Sequence, residues 1–187
     1  MIITHILTVI PFMMMLVCCV LTSLGEGNND GFLRHDIVKK AGFYHSPSGN
    51  CEASLRIAEM GGFLCLDIRK KPYQGEEKDK KEICDITGML WIANDILVYT
   101  VSPIYGKPGL FLYDCASHQI KQILRPKTKA NAYRDGADFF ELYGFSRDKI
   151  YFYYAPNVEA IDFSRFRTEE FLYQVNMDGS GFRKAAR

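Results

Sequence analysis

Leu55-Arg56-Ile57-Ala58-Glu59-Met60 and Phe63-Leu64-Cys65-Leu66-Asp67-Ile68 flank Gly61-Gly62, and these fourteen residues decide the fold. Apolar and polar residues alternate in both runs, which places successive side chains on opposite faces of an extended strand. Two glycines between such runs signal a two-residue hairpin, because both turn positions can require positive φ. The expected register sets Met60 opposite Phe63, Ile57 opposite Leu66 and Arg56 opposite Asp67. One face is then aliphatic, and the other carries an opposite-charge cross-strand pair. In this register Cys65 points away from the face of Leu55 and Ile57, whereas Cys51 shares it. A Cys51–Cys65 bond would therefore need a twist or a bulge between them.

Outward from this hairpin the alternation continues, with almost no 3.6-residue periodicity. Asp95–Val101 and Gly109–Asp114 form the next antiparallel pair, and Ala116-Ser117-His118 turns the chain into Gln119–Leu124. A third group runs through Phe139–Phe145, a turn at Ser146-Arg147-Asp148, Lys149–Tyr154 and Glu170–Val175. It closes with the turn Met177-Asp178-Gly179-Ser180-Gly181 and Phe182-Arg183. The fold class expected is all-β.

The three groups look like copies of one unit. Each has a strand, a tight polar turn, a strong strand, a variable loop and a strand with a Phe-Leu pair. The pairs are Phe63-Leu64, Phe111-Leu112 and Phe171-Leu172, at intervals of 48 and 60 residues. A repeat of this length made of short strands is the blade of a β-propeller. Leu112-Tyr113-Asp114 through Gln119–Leu124, and Phe171-Leu172-Tyr173-Gln174-Val175 through Asp178-Gly179-Ser180-Gly181, resemble blades of TolB-like propellers. The resemblance implies consecutive antiparallel sheets forming three blades of an open, partial propeller; a β-sandwich is the alternative. Three blades fall short of ring closure, so the arc would leave a concave flank and sheet edges to be covered by loops, a second copy or a partner.

From Ile2 to Leu24 there is no Lys, Arg, Asp or Glu, and Val9–Leu21 is almost wholly apolar. Position, Pro11 and the small residues Ser23 and Gly25 before Glu26 read as a cleaved signal peptide over 1–25. Because the segment has His5 but no Lys or Arg, an uncleaved membrane anchor is one alternative. A lipid-modified Cys18 or Cys19 is another, although neither follows Gly, Ala or Ser. Residues 26–42 read as a polar lead-in, mobile or briefly helical, and 43–187 as a single domain large enough for a core. The 23 Lys and Arg balance 22 Asp and Glu, which gives no electrostatic reason to expect nucleic acid. Cys51, Cys65, Cys84 and Cys115 remain in the mature chain, and an even number this small reads as two disulfides of a periplasmic or secreted protein. Their spacings of 14, 19 and 31 contain no Cys-x-x-Cys, which argues against the metal alternative. All three pairings are open.

Chemistry is sparse. His35, His45 and His118 have no ligand companions, so no metal or other cofactor is expected. His45 adjoins Ser46, but no Gly-x-Ser-x-Gly elbow supports a nucleophile. Asp178-Gly179-Ser180-Gly181 reads as a hairpin turn before a calcium loop. Glu141, Asp148, Glu159 and Asp162 have no spacing that demands a glycosidase pair. The alternating charges of Glu76–Glu82 read as a self-neutralising solvated loop. No catalytic residue is expected, and a binding protein is favoured over an enzyme.

Two loops carry the binding expectation. The first places Ser102, Pro103, Ile104, Tyr105 and Lys107 in a tip stiffened by Pro103 and Pro108, and stiff aromatic tips lose little entropy in a partner's cleft. In the second, Phe163, Arg165 and Phe166 combine aromatic and guanidinium groups, the side chains that dominate hot spots. In size, export signal, all-β pattern and paired cysteines the chain resembles the periplasmic immunity proteins that neutralise cell-wall-degrading effectors of type VI secretion. That resemblance implies a secreted peptidoglycan amidase as partner, with loop 102–109 plugging its active site and 155–167 flanking it. The membrane would be met only through the N-terminal segment. The alternative is a propeller-type extracytoplasmic protein or enzyme that binds a glycan or small ligand.

Overall fold

Alternation produces strands throughout, and each strand pairs with its neighbours in sequence. The computed structural model describes residues 37–58, 64–70, 81–92, 95–101, 107–127, 136–158 and 164–186. The first sheet contains β1 (Gly42–His45), β2 (Cys51–Ile57), β3 (Leu64–Lys70) and β4 (Lys81–Cys84). The second contains β5 (Ile86–Ile92), β6 (Ile96–Val101), β7 (Gly109–Asp114) and β8 (Gln119–Leu124). The third contains β9 (Ala137–Ser146), β10 (Lys149–Val158), β11 (Leu172–Asn176) and β12 (Arg183–Lys184), with 3-10 turns at Ser164–Phe166 and Glu169–Phe171. All three are four-stranded antiparallel meanders in chain order. The all-β, blade-like reading is therefore borne out. Each Phe-Leu pair falls at the start of, or within, the third strand of its sheet.

The sheets pack in sequence order, face on face. Cys51, Ala53, Leu55, Leu66 and Ile68 of the first sheet meet Met89, Leu97, Tyr99, Val101 and Tyr113 of the second. The intervening residues Leu90, Ile92, Val98, Leu110 and Leu112 point the other way, against Phe140, Leu142, Ile150, Phe152, Tyr154 and Val175 of the third. The middle sheet is thus buried on both faces, which explains why β6 reads Ile-Leu-Val-Tyr-Thr-Val and β2 alternates strictly. Each such side chain withdrawn from water contributes about 1.5–3 kcal/mol before entropy is set against it. Thr100 is the polar exception in β6. Its Oγ1 accepts the Leu142 amide at 3.2 Å and bonds Thr87 Oγ1 at 2.8 Å, while Thr87 donates to the Phe140 carbonyl at 2.9 Å. The seam between the second and third sheets is consequently hydrogen-bonded as well as apolar.

The outward faces differ. On the first sheet the face carries ion pairs, His45 with Glu52 at 3.5 Å and Arg56 with Asp67 at 3.7 Å, together with an exposed Phe43 and a buried Cys65. On the third, the two 3-10 turns cover it: Phe166 packs on Phe139 and Phe171, with ring centroids 5.9 and 5.1 Å apart. Glu141 on the same face is buried, accepts from Arg167 Nε at 3.0 and 2.9 Å, and also holds Lys39. The sequence left open what would cover the flank, and here a loop of the same chain covers it.

Several expectations need correction. Ile57 pairs with Leu64 and Leu55 with Leu66, so the ladder is offset by two residues from the expected register, in which Ile57 faces Leu66; the turn itself lies outside the described residues. A shift of two residues leaves every side chain on its expected face, so facial patterning could not detect it. Arg56 still reaches Asp67, now diagonally. Lys81 and Glu82, expected in a solvated loop, belong to β4, which pairs with β3. Val38, expected in the lead-in, exchanges backbone hydrogen bonds with Met89 at 2.9 and 3.1 Å and so joins the edge of β5.

Two joints set the order of the sheets. Asp85 alone separates β4 from β5, at φ 69, a left-handed conformation that Asp tolerates better than most residues. The cystines pair as Cys51–Cys115 and Cys65–Cys84. Cys51–Cys115, with Cα atoms 6.4 Å apart, ties the start of β2 to the β7–β8 turn across the first intersheet core. Cys65 and Cys84 face each other directly in the β3–β4 ladder. Such pairs fit an oxidising environment. Among the described residues no helix is long and apolar enough to cross a membrane; the N-terminal segment read as a signal lies outside them.

Candidate partner-binding face

In a four-stranded meander the first and third connections lie at one end and the second lies at the other. Contacts between neighbouring sheets join the first kind. Ser48 in the β1–β2 turn donates its amide to Asp95 Oδ1 at 3.0 Å, before β6, and its hydroxyl to the same carboxylate. Cys51–Cys115 joins the same end. Lys121 Nζ, early in β8, donates to the Asp178 carbonyl in the β11–β12 turn at 3.1 Å. The three sheets therefore run alike, and their second connections, after Ile57, Val101 and Val158, emerge together at the opposite end.

At that opposite end the middle connection has a stiff stem. Val101 and Gly109, paired across β6 and β7, are both buried. Gly109 has φ 151, and a Cβ there would lie 2.6 Å from the Leu124 carbonyl and 2.7 Å from Gln122 Nε2. Only glycine fits this approach of β7 to β8. Gln122 also donates to the Pro108 carbonyl at 3.4 Å, and Tyr99 stacks on Phe111 at 5.3 Å and 9°. Burial pushes the Tyr99 phenol far above the ordinary tyrosine range, so it stays neutral. Lys107 is exposed beside the stem. Ser102, Pro103, Ile104 and Tyr105 lie outside the described residues, as does Phe163.

The other expected contacts divide. Arg165 is exposed, its guanidinium 4.6 Å from the Phe166 ring. Phe166 is only 7% exposed and belongs to the cover of the third sheet with Phe139, Ala155 and Val158. Its ring is therefore not offered to a partner. Ile57, at the end of β2, is 61% exposed and adds an apolar group to the same end of the domain. It was missed because its alternation reads as core.

The residues weighed for chemistry take structural parts. His118 Nδ1 and the Tyr113 hydroxyl share a hydrogen bond of 2.8 Å at the β7–β8 turn, where His118 has φ 55. His45 lies beside Glu52. Asp178 accepts the Ser180 amide at 2.8 Å, and bonds from Ser180 hold its carboxyl below the usual range. Bonds from Ser48 do the same for Asp95, and from Ser117 and Ala116 for Asp114. Among the described residues no three His, Cys, Asp or Glu side chains are grouped to hold a metal ion. Asp148 is exposed in the β9–β10 turn, and Glu159 and Asp162 lie outside the described residues. Asp138 is buried and satisfied, accepting from the Tyr154 hydroxyl at 2.9 Å, the Lys127 amide at 2.7 Å and the Asn157 amide at 3.3 Å. Burial, then the bond to Asp138, drive the Tyr154 phenol well above its ordinary range.

No protein-family model, curated protein or solved structure matches this chain.

Proposed function

We propose that the domain is a non-enzymatic binding protein of an oxidising, extracytoplasmic compartment. Its task is that of an immunity protein, silencing a secreted peptidoglycan-degrading effector by inserting the 102–108 loop into the active site. The observation that supports this reading is the stem, because Val101 and Gly109 bound the connection between β6 and β7, the interior strands of the sheet that has a neighbour on each face. Fixing both ends of a loop in such a base lowers the ordering cost of association. Lys107, Arg165 and Ile57, exposed at the same end, supply cationic and apolar surface around it. Inhibition by a shaped wedge requires no chemistry from the inhibitor.

The test is to mix the purified domain with the peptidoglycan amidase encoded beside its gene and follow both complex formation and hydrolysis. A tight complex with loss of hydrolysis is expected. The paired change Ile104→Ala and Tyr105→Ala should weaken it by more than about 1 kcal/mol if the tip is a hot spot. Undiminished affinity in that variant overturns the wedge, and failure to bind any neighbouring gene product overturns the reading altogether.

A further inference from the structure

We propose that Cys65–Cys84 is a thiol–disulfide exchange site, opened by a dithiol reductant while Cys51–Cys115 stays closed. The two cystines differ in access at one sulfur: Cys51, Cys115 and Cys65 are all buried, whereas Cys84 is only partly so. Cys51 and Cys115 are buried in the core between the first and second sheets, so a thiolate reaches their sulfurs only if those sheets part. Cys65 and Cys84 lie on the other face of the first sheet, since Cys65 alternates with Leu64 and Leu66, which pack toward that core. Cys84 is only half-buried and belongs to β4, a four-residue strand at the edge of its sheet. Exchange depends on access to one sulfur and on the leaving ability of the other. Access is through Cys84. The leaving sulfur is then Cys65, buried in β3 and cross-strand from Arg56 on β2.

The reaction balances without further partners. One thiolate of the dithiol attacks Cys84 Sγ, the Sγ–Sγ bond breaks, and Cys65 leaves as thiolate. The second thiol of the reductant then attacks the mixed disulfide and releases Cys84. The dithiol is oxidised by two electrons to a disulfide, and the cystine is reduced to two thiols. What changes in the protein is local. β4 loses its covalent tie to β3, and the β3 edge from Cys65 to Ile68 is freed. The second and third sheets have no covalent stake in this bond.

The experiment uses the full chain with its bonds intact, titrated with dithiothreitol at neutral pH, alkylated at intervals and mapped by peptide mass. Cys65 and Cys84 should become alkylated at a dithiothreitol concentration at least tenfold below that needed for Cys51 and Cys115. At that point amide exchange should quicken over 64–68 and 81–84 and stay slow over β6. A double variant Cys65→Ser and Cys84→Ser should fold with the Cys51–Cys115 bond formed and show no bond that opens early. Simultaneous opening of both bonds, or earlier opening of Cys51–Cys115, overturns the proposal, as does an early-opening bond in the double variant.

Discussion

The first and second sheets are the same meander of four strands, yet β2 alternates between buried and half-exposed residues while five of the six residues of β6 are buried. The difference lies in what each sheet faces. The outward side of the first sheet carries the ion pairs of Glu52, Arg56 and Asp67, half-exposed along β2 although Asp67 itself is buried; the second has a neighbour on either side. A run without polar interruption therefore marks the middle of the stack, and strict alternation marks its end. The third sheet tests the rule. Its β9 is buried along most of its length although it is the last sheet, because the 164–171 segment lies over its outward face.

Substitutions sharpen this contrast. The largest effect should come from Leu97→Ala, a fully buried side chain of the middle sheet, at about 2–5 kcal/mol in chemical denaturation. Ser54→Ala on the water side of β2 should stay within about 0.5 kcal/mol, and equal losses at the two sites would break the rule. Removing Cys51–Cys115 by paired serines should cost about 4 kcal/mol by the loop-closure estimate, against about 3 for Cys65–Cys84, since the bonds span 64 and 19 residues. Oxidised and reduced unfolding curves of each single-bond variant measure this. Thr100→Val should cost about 1–3 kcal/mol, because it leaves the buried Leu142 amide without its acceptor. A loss no larger than that of Ser54→Ala would show that the polar seam adds nothing to the intersheet packing.

Smaller effects belong to the surface. Arg167→Ala should cost about 1 kcal/mol or less, since its side chain is half in water, but should speed amide exchange over 164–171. The smallest effect is acid-dependent. Asp95, Asp114 and Asp178 have carboxyls held below the usual range by bonds from Ser48, Ser117 and Ser180. A depressed folded-state pKa gives stability that is complete above the unfolded value and disappears as pH falls through the folded one. Stability should therefore fall gently below about pH 4, and Asp95→Asn should flatten that slope. A slope unchanged in the variant would remove Asp95 from the list of contributors.

Strand content, the order of the units and the third-strand position of the Phe-Leu pairs were legible because they depend on local alternation and turns. The register of the first hairpin was not. Burial of one face fixes register only to within two residues, and Gly61-Gly62 suggested the wrong one of two equivalent solutions. β4 was hidden because Lys81 and Glu82 continue a charged run that looks like loop. The cystine pairing depends on how β2 meets the β7–β8 turn, a contact between units that no spacing encodes. Phe166 illustrates the limit for site residues. An aromatic beside an arginine reads alike whether it awaits a partner or covers a sheet, and here it covers one. Glu141 was noticed only as a stray acid, because its cations come from residues 39 and 167, far away along the chain.

The cover over the third sheet also bears on how such a molecule could grow. A fourth copy of the unit, added by duplication at the C-terminus, would find Phe139 and Ala155 already occupied by Phe166 and would have to evict Arg167 from Glu141. At the N-terminal side a newcomer would have to strip water from Arg56 and His45. The outward face of the third sheet is thus already engaged by its own chain, and that of the first carries the charged pairs of His45 with Glu52 and Arg56 with Asp67.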